Sequence, residues 1–143
     1  MVARMMGLDV GDRRIGVALS DSLGITAQRL ALLQRRATSS DVEAVSALAK
    51  QHAVSVIVVG LPLTLRGEIG PQAKKVEAFA EALRRKTAVP VELVDERLTT
   101  VQGERALRET GASRQKRKAA IDQVAAQLIL QQFLDTQRER RGS

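Results

Sequence analysis

The chain has 143 residues, with 23 Lys and Arg against 16 Asp and Glu, a formal net charge of +7. It has no Cys and one histidine, His52, which excludes a disulfide framework, a thiolate nucleophile, a Cys-type zinc site and any His cluster or His-dependent triad within one chain; a lone His base stays open. No apolar run approaches the roughly 18 residues of a membrane span, and residues 1–6 lack the apolar segment of a signal peptide, so a soluble cytoplasmic protein with no membrane partner is the expectation.

The hydrophobic fraction of 44% suffices for one packed interior. The cationic excess suits a polyanionic partner such as nucleic acid, although a merely soluble basic surface has the same composition. Phe79 and Phe133 are the only aromatics, so the stacking platforms of single-strand binders are missing. A nucleic acid would have to be held by its phosphates and its shape.

Residues 6–21, MGLDVGDRRIGVALSD, alternate twice with period 2 around a Gly-Asp-Arg-Arg turn, which predicts a β-hairpin. Met6, Leu8, Val10, Ile15, Val17 and Leu19 fall on one face. The other face carries Asp9 among glycines, which leave room for a backbone, a helix or a ligand. A carboxylate there is costly to bury unless something pairs with it. A metal ion on Asp9 and a turn that donates hydrogen bonds to it explain the pattern equally well. Residues 25–33 predict a third antiparallel strand. Ser40 and Glu43 have the spacing of a capping box and predict a helix that ends near His52, buried along Val42, Val45, Leu48 and Ala49. At a helix C-terminus, His52 is a solvated or weakly capping residue.

Residues 54–60, VSVIVVG, predict a strand covered on both faces. A long loop follows, to Gly70, containing Arg66; loops at the carboxyl ends of such strands build sites, and its length favours that over an ordinary connection. Pro71 opens a helix with Ala73, Val76, Ala80 and Leu83 inside and Lys74, Lys75 and 84–86 on a solvated or phosphate-contacting face. A short strand over 90–94 leads into Asp95, Glu96 and Arg97, and Thr99 or Thr100 caps a helix to Gly111. Residues 112–118 read as a basic connector carrying Arg114, Lys116, Arg117 and Lys118. The last helix is expected over 119–138, buried along Ile121, Val124, Ala125, Leu128 and Ile129, with Asp122 in its first turn, where the helix dipole alone would account for an acid. The expectation is one domain over 1–138 and a frayed basic tail over 139–143.

Three strands followed by alternating helices and strands predict an α/β protein with a mixed five-stranded sheet. If the first and last strands both neighbour the strand over 54–60, Asp9, Glu96 and Asp122 converge at one end of the sheet. Clustered carboxylates repel, and divalent cations relieve the repulsion. Oxygen-only ligands suit Mg²⁺ or Mn²⁺, and two such ions activate water and stabilise the leaving oxygen of a phosphodiester.

Four ordered blocks, GLDVGDRRIGVALSD at 7–21, VVGLPLTLRGEIGP at 58–71, VDERLTT at 94–100 and IDQVAAQLILQQFLD at 121–135, make the chain resemble the YqgF/RuvX family of RNase H-like nucleases over nearly its whole length. The resemblance implies a ribonuclease H-like fold and divalent-metal ligands at Asp9, Glu96 and Asp122, with Asp95 in the same motif. It also implies a structured-RNA substrate, the small-subunit ribosomal RNA precursor, or in some members branched DNA. Thr64 stands where Asn is common, and Arg66 occupies a variable position, which bears on substrate rather than on the acids. Arg13, Arg14, Arg66, Lys74, Arg97 and the four cations of 114–118 are the candidate phosphate contacts. GLDVG also resembles the first phosphate loop of the actin and sugar-kinase superfamily, but this chain is too short for the two domains of those proteins and lacks their further motifs. A non-catalytic nucleic-acid module would not need all three acids. The helix faces left after core assignment are rich in charge, which favours a monomer over a dimer.

Overall fold

The structure, a computed structural model, describes residues 4–96 and 114–142, without the side chains of 114–123, 141 and 142. In chain order the elements are β1 (Arg4–Val10), β2 (Arg14–Ser20), β3 (Ala27–Gln34), α1 (Thr38–Gln51), β4 (Val54–Leu61), α2 (Pro71–Lys86), β5 (Val91–Asp95) and α3 (Arg114–Gly142). The helix expected to end at Gly111 lies outside the described residues.

The five strands form one sheet in the order β3-β2-β1-β4-β5. β1, β2 and β3 pair antiparallel; β4 joins β1, and β5 joins β4, in parallel. This is the mixed sheet expected from the sequence, and β4 lies between β1 and β5 as convergence of the acids requires.

The alternation in the hairpin divides the protein into two layers. Met6, Leu8, Val10, Ile15, Val17 and Leu19 pack with Val42 and Val45 of α1 and with Val76, Phe79 and Leu83 of α2. On the other face Ala18 and Val58 pack with Ala126, Ile129, Leu130 and Leu134 of α3. Small residues on β1 let α3 approach closely. A Cβ added at Gly7 would lie 2.7 Å from Leu130 Cβ and 2.9 Å from the Ala126 carbonyl oxygen.

α1 starts two residues before the expected Ser40, with Ala37 at its N-cap and no side-chain cap. The expected capping box does not form. Asp41 reaches back instead, accepting from Arg36 N at 3.1 Å and Arg35 Nε at 2.8 Å, while the Ser40 hydroxyl donates to the Ala37 carbonyl at 3.0 Å. Ser40 therefore lies inside the first turn of α1, where its hydroxyl bonds back to Ala37 instead of capping the helix. Pro71 is the first residue of α2, as expected.

α3 is longer than expected at both ends. Residues 114–118 belong to the helix, not to a connector, and the helix runs through the expected tail to Gly142. Gln, Lys, Arg and Glu are good helix formers, so both segments can continue it. The buried stripe also differs: Ala125, Ala126, Ile129, Leu130 and Leu134 are buried, whereas Val124 and Leu128 are half-buried, and the Ile121 side chain lies outside the described residues. Gln131 sets that rotation. Its Oε1 accepts from Ala27 N at 2.9 Å and its Nε2 donates to Ile25 O at 2.8 Å, while Gln127 Nε2 donates to Ala27 O at 3.0 Å. Asp21 Oδ1 takes the Ile25 and Thr26 N–H groups. With these groups engaged by side chains, β3 begins at Ala27 rather than at residue 25.

The close approach of β1 and α3 has a measurable consequence. Gly7→Ala forces Leu130 and the α3 backbone away from the sheet and is expected to cost about 1–3 kcal/mol, the ordinary range for overpacking. The shift of the urea midpoint, at unchanged slope, checks it.

Candidate functional site

β1, β4 and β5 run parallel, so their carboxyl ends share one edge of the sheet, and the residues leaving them meet there. Asp9, half-buried in β1 opposite Gly16, lies on the α3 face with Gly7. Glu96 is the first residue after β5; its N–H donates to the Leu61 carbonyl at 3.3 Å, which extends the ladder by one residue. The Glu96 side chain is buried and shares a hydrogen bond with the Asp9 carboxyl.

Gly60 makes this possible. A Cβ at that position would lie 2.6 Å from Glu96 Oε2 and 2.4 Å from Ile129 Cδ1. A side chain there would have to shift both the Glu96 carboxyl and the end of the Ile129 side chain. The sequence reading treated Gly60 only as the end of a strand, although a glycine closing a β-branched run is itself a signal of close approach.

Burial raises the Glu96 carboxyl above the ordinary carboxylate range, the Asp95 charge raises it further, and the Asp9 hydrogen bond opposes both. Two carboxyl groups can share a hydrogen bond only if one of them holds a proton. Asp95 itself is exposed. The donor set is oxygen alone, half-withdrawn from water, which fits a hard divalent cation in place of that proton. Among the described residues, no group of three or more His, Cys, Asp or Glu side chains is placed to hold an ion. The side chain of Asp122, the third expected member, lies outside the described residues.

The position of Asp122 in the helix is nevertheless informative. α3 starts at Arg114 and has no acid in its first turn, so Asp122 is not the first-turn residue that the sequence suggested. The helix dipole, which acts within the terminal turn, no longer accounts for it. It lies one turn before Ala126, whose carbonyl abuts Gly7 on β1.

The hairpin turn with Arg13 and Arg14, the loop with Arg66 and the first turn of α2 with Lys74 all lie at this same edge. Arg13, Arg66 and Lys74 are exposed. Arg97 and the side chains of Arg114, Lys116, Arg117 and Lys118 lie outside the described residues. Among the described residues, no helix is long and apolar enough to cross a membrane.

Residues 3–136 match the sequence profile of the family described as RuvX: Holliday junction resolvase. A protein of Moorella thermoacetica named "Putative pre-16S rRNA nuclease" is 51% identical over 132 residues, 92% of this chain and 94% of that one. A protein of the same name from Halothermothrix orenii is 46% identical over 139 residues, 97% and 99% of the two chains. Among solved structures, Thermus thermophilus RuvC in complex with a Holliday junction substrate superposes with a TM-score of 0.58 at 16% identity, covering 95% of this chain and 96% of that one. At that identity the likeness concerns the fold alone, a mixed sheet of the RNase H kind.

The acid pair sets a pH dependence. The raised Glu96 carboxyl binds its proton more tightly in the folded protein than in the unfolded chain, so its contribution to stability is full below the ordinary value of 4.5 and is lost as pH rises through the raised value. In chelator, Glu96→Gln is therefore expected to be more stable than the parent at neutral pH, with the gap closing in acid. Urea midpoints across pH check it; a variant less stable than the parent at neutral pH contradicts it.

Proposed function

Because the chain belongs to the RuvX family, we propose that it is a divalent-metal-dependent nuclease that processes the small-subunit ribosomal RNA precursor. The observation that carries the reading is the buried Glu96 carboxyl hydrogen-bonded to Asp9, with Gly60 leaving the space it occupies. The names of the relatives point the same way on substrate.

Asp9, Glu96 and Asp122 would hold Mg²⁺ or Mn²⁺, with Asp95 alongside. Bound there, two ions would supply an activated water and charge neutralisation at the leaving oxygen of a phosphodiester. The chain's own residues do the rest. Asp9 and Glu96 would hold the ion as carboxylates, and because burial raises the Glu96 carboxyl, affinity for the ion would rise with pH. Glu96, packed against Gly60 and Ile129, keeps one side of the site dry, where charges act more strongly than in water. Arg13, Arg14, Arg66, Lys74, Arg97, Arg114, Lys116, Arg117 and Lys118 hold the phosphates of the strand and position it without reading its bases.

The protein works as a cytoplasmic monomer in this reading. Among the described residues, the exposed large apolar side chains are Leu23 and Ile25 at one end of the sheet and Leu65 and Ile69 at the other, two small patches rather than one dimer face. Cleavage of branched DNA is the second reading, favoured by the family description. It requires two symmetric cuts, most simply from a two-fold dimer.

Two measurements test the function. Asp9→Asn is expected to lower cleavage of precursor RNA about a hundredfold or more, the scale for losing one group that stabilises charge in the transition state, while leaving RNA binding in place. Wild-type rates in that variant contradict the assignment, and paired symmetric nicks on junction DNA, with intact precursor, favour the second reading. Neutralising Arg114, Lys116, Arg117 and Lys118 together is expected to flatten the log–log salt dependence of single-strand binding by up to about 3 units. An unchanged slope removes this segment from the interface.

A further inference from the structure

On the face of the sheet away from Asp9 and Gly60, a cavity of about 450 Å³ opens where β1 ends. Val10, Val76 and Phe79 give it an apolar floor, and Arg35, Arg36 and Lys75 stand in its wall. None of these residues belongs to the acid site; the sequence placed Lys75 on a solvated or phosphate-contacting face and gave Arg35 and Arg36 no role.

Arg35 is the informative residue. Its guanidinium is fixed from three sides: Nε donates to Asp41 Oδ2 at 2.8 Å, Nη1 donates to the Gly11 carbonyl at 3.0 Å, and Cζ lies 5.2 Å from the centroid of the Phe79 ring. The Nη2 hydrogens take part in neither hydrogen bond. A long cationic side chain ordinarily loses rotamer freedom when it binds; here the fold has already imposed that order, with donors left at the cavity wall.

The charges around Arg35 also favour an anion. Asp41 balances Arg35 at 2.8 Å, and Asp12 lies 3.4 Å from Lys75 across an exposed pair. Such an exposed contact contributes little and yields readily to a stronger acceptor. Arg36 is exposed, and its backbone N–H rather than its guanidinium engages Asp41. Thr38, the first residue of α1, lines the same cavity, and α1 has no side-chain cap. That helix end adds to the one net positive charge that Arg36 leaves after Asp41 and Asp12 offset Arg35 and Lys75.

We propose that this cavity is a phosphate-binding site, separate from the acid pair. A planar guanidinium, an ammonium and backbone donors arriving from different directions match the several acceptor oxygens of a phosphoryl group. The apolar floor and the volume suit a nucleotide-sized body. The phosphoryl group could belong to a free nucleotide or to a nucleic-acid strand turning over the end of β1, where Gly11 is two residues from Asp9. The site does not depend on the nuclease reading, because phosphate recognition there needs neither the acids nor a metal.

The experiment uses the whole chain labelled with ¹⁵N, titrated with inorganic phosphate and with AMP, alongside single-stranded RNA binding measured across salt concentration. Arg36→Ala/Lys75→Ala tests the cations. Thr38→Asp places a carboxylate in the first turn of α1, which favours the helix while repelling phosphate, so loss of binding in that variant is not loss of fold. A free-nucleotide site is expected to show AMP shifts at Gly11, Arg36, Thr38 and Gln72, with affinity reduced about tenfold or more in both variants. A strand site is expected to show no AMP saturation but a salt slope lower by about 1.4 in the double variant, from two contacts at roughly 0.7 each. Resonances unmoved by phosphate and AMP, together with an unchanged RNA salt slope in folded variants, overturn the proposal.

Discussion

Two carboxyl groups that would repel each other when ionised are held together at the carboxyl edge of one sheet. The rest of the structure is arranged around that contact. β4 must lie between β1 and β5 for Asp9 and Glu96 to meet. Gly60 must lack a side chain so that Glu96 can lie beside β4, and Gly7 must lack one so that α3 can cover the same face. Each requirement is local, and together they leave little freedom in the strand order or in the depth at which α3 packs.

The two faces of the sheet carry unequal duties. The face covered by α1 and α2 is a continuous aliphatic layer running from Met6 to Val91, with Phe79 at its rim. Its burial provides the apolar stabilisation that a buried acid opposes. The α3 face is thinner, built on Ala18, Val58, Ala126 and Leu130, and is fixed by directional bonds as well as by packing. Gln127 and Gln131 tie α3 to the edge strand β3, and Asp135 accepts a further bond from Gln131 at 3.0 Å. A helix held by such bonds has a defined rotation, and that rotation determines which of its residues face β1.

Much of this was legible in the sequence because period and position carry it. The two faces of the hairpin, the doubly covered strand at β4, Pro71 at a helix start and the placement of Glu96 just past β5 all follow from alternation and from residues with restricted backbones. The start of α1 was not legible, because Asp41 binds Arg35 and Arg36, a pairing across a turn that spacing rules do not encode. The length of α3 was missed for a different reason: a basic run rich in Arg, Lys and Gln has the composition of a linker and the propensity of a helix. The same error placed Asp122 in a first turn and supplied it with a helix dipole that it does not meet. The role of Gly60 was missed because its neighbours across the sheet, Glu96 and Ile129, come from distant parts of the chain.

Anomalous scattering from Mn²⁺ diffused into crystals of the protein tests the use of the acid pair most directly. The expected result is a peak at ordinary oxygen-ligand distance, roughly 2.1 Å, from carboxylate oxygens of both Asp9 and Glu96, with the hydrogen bond between them broken. A Mn²⁺ peak elsewhere, with Asp9 and Glu96 still sharing a proton, would contradict a metal site built on this pair.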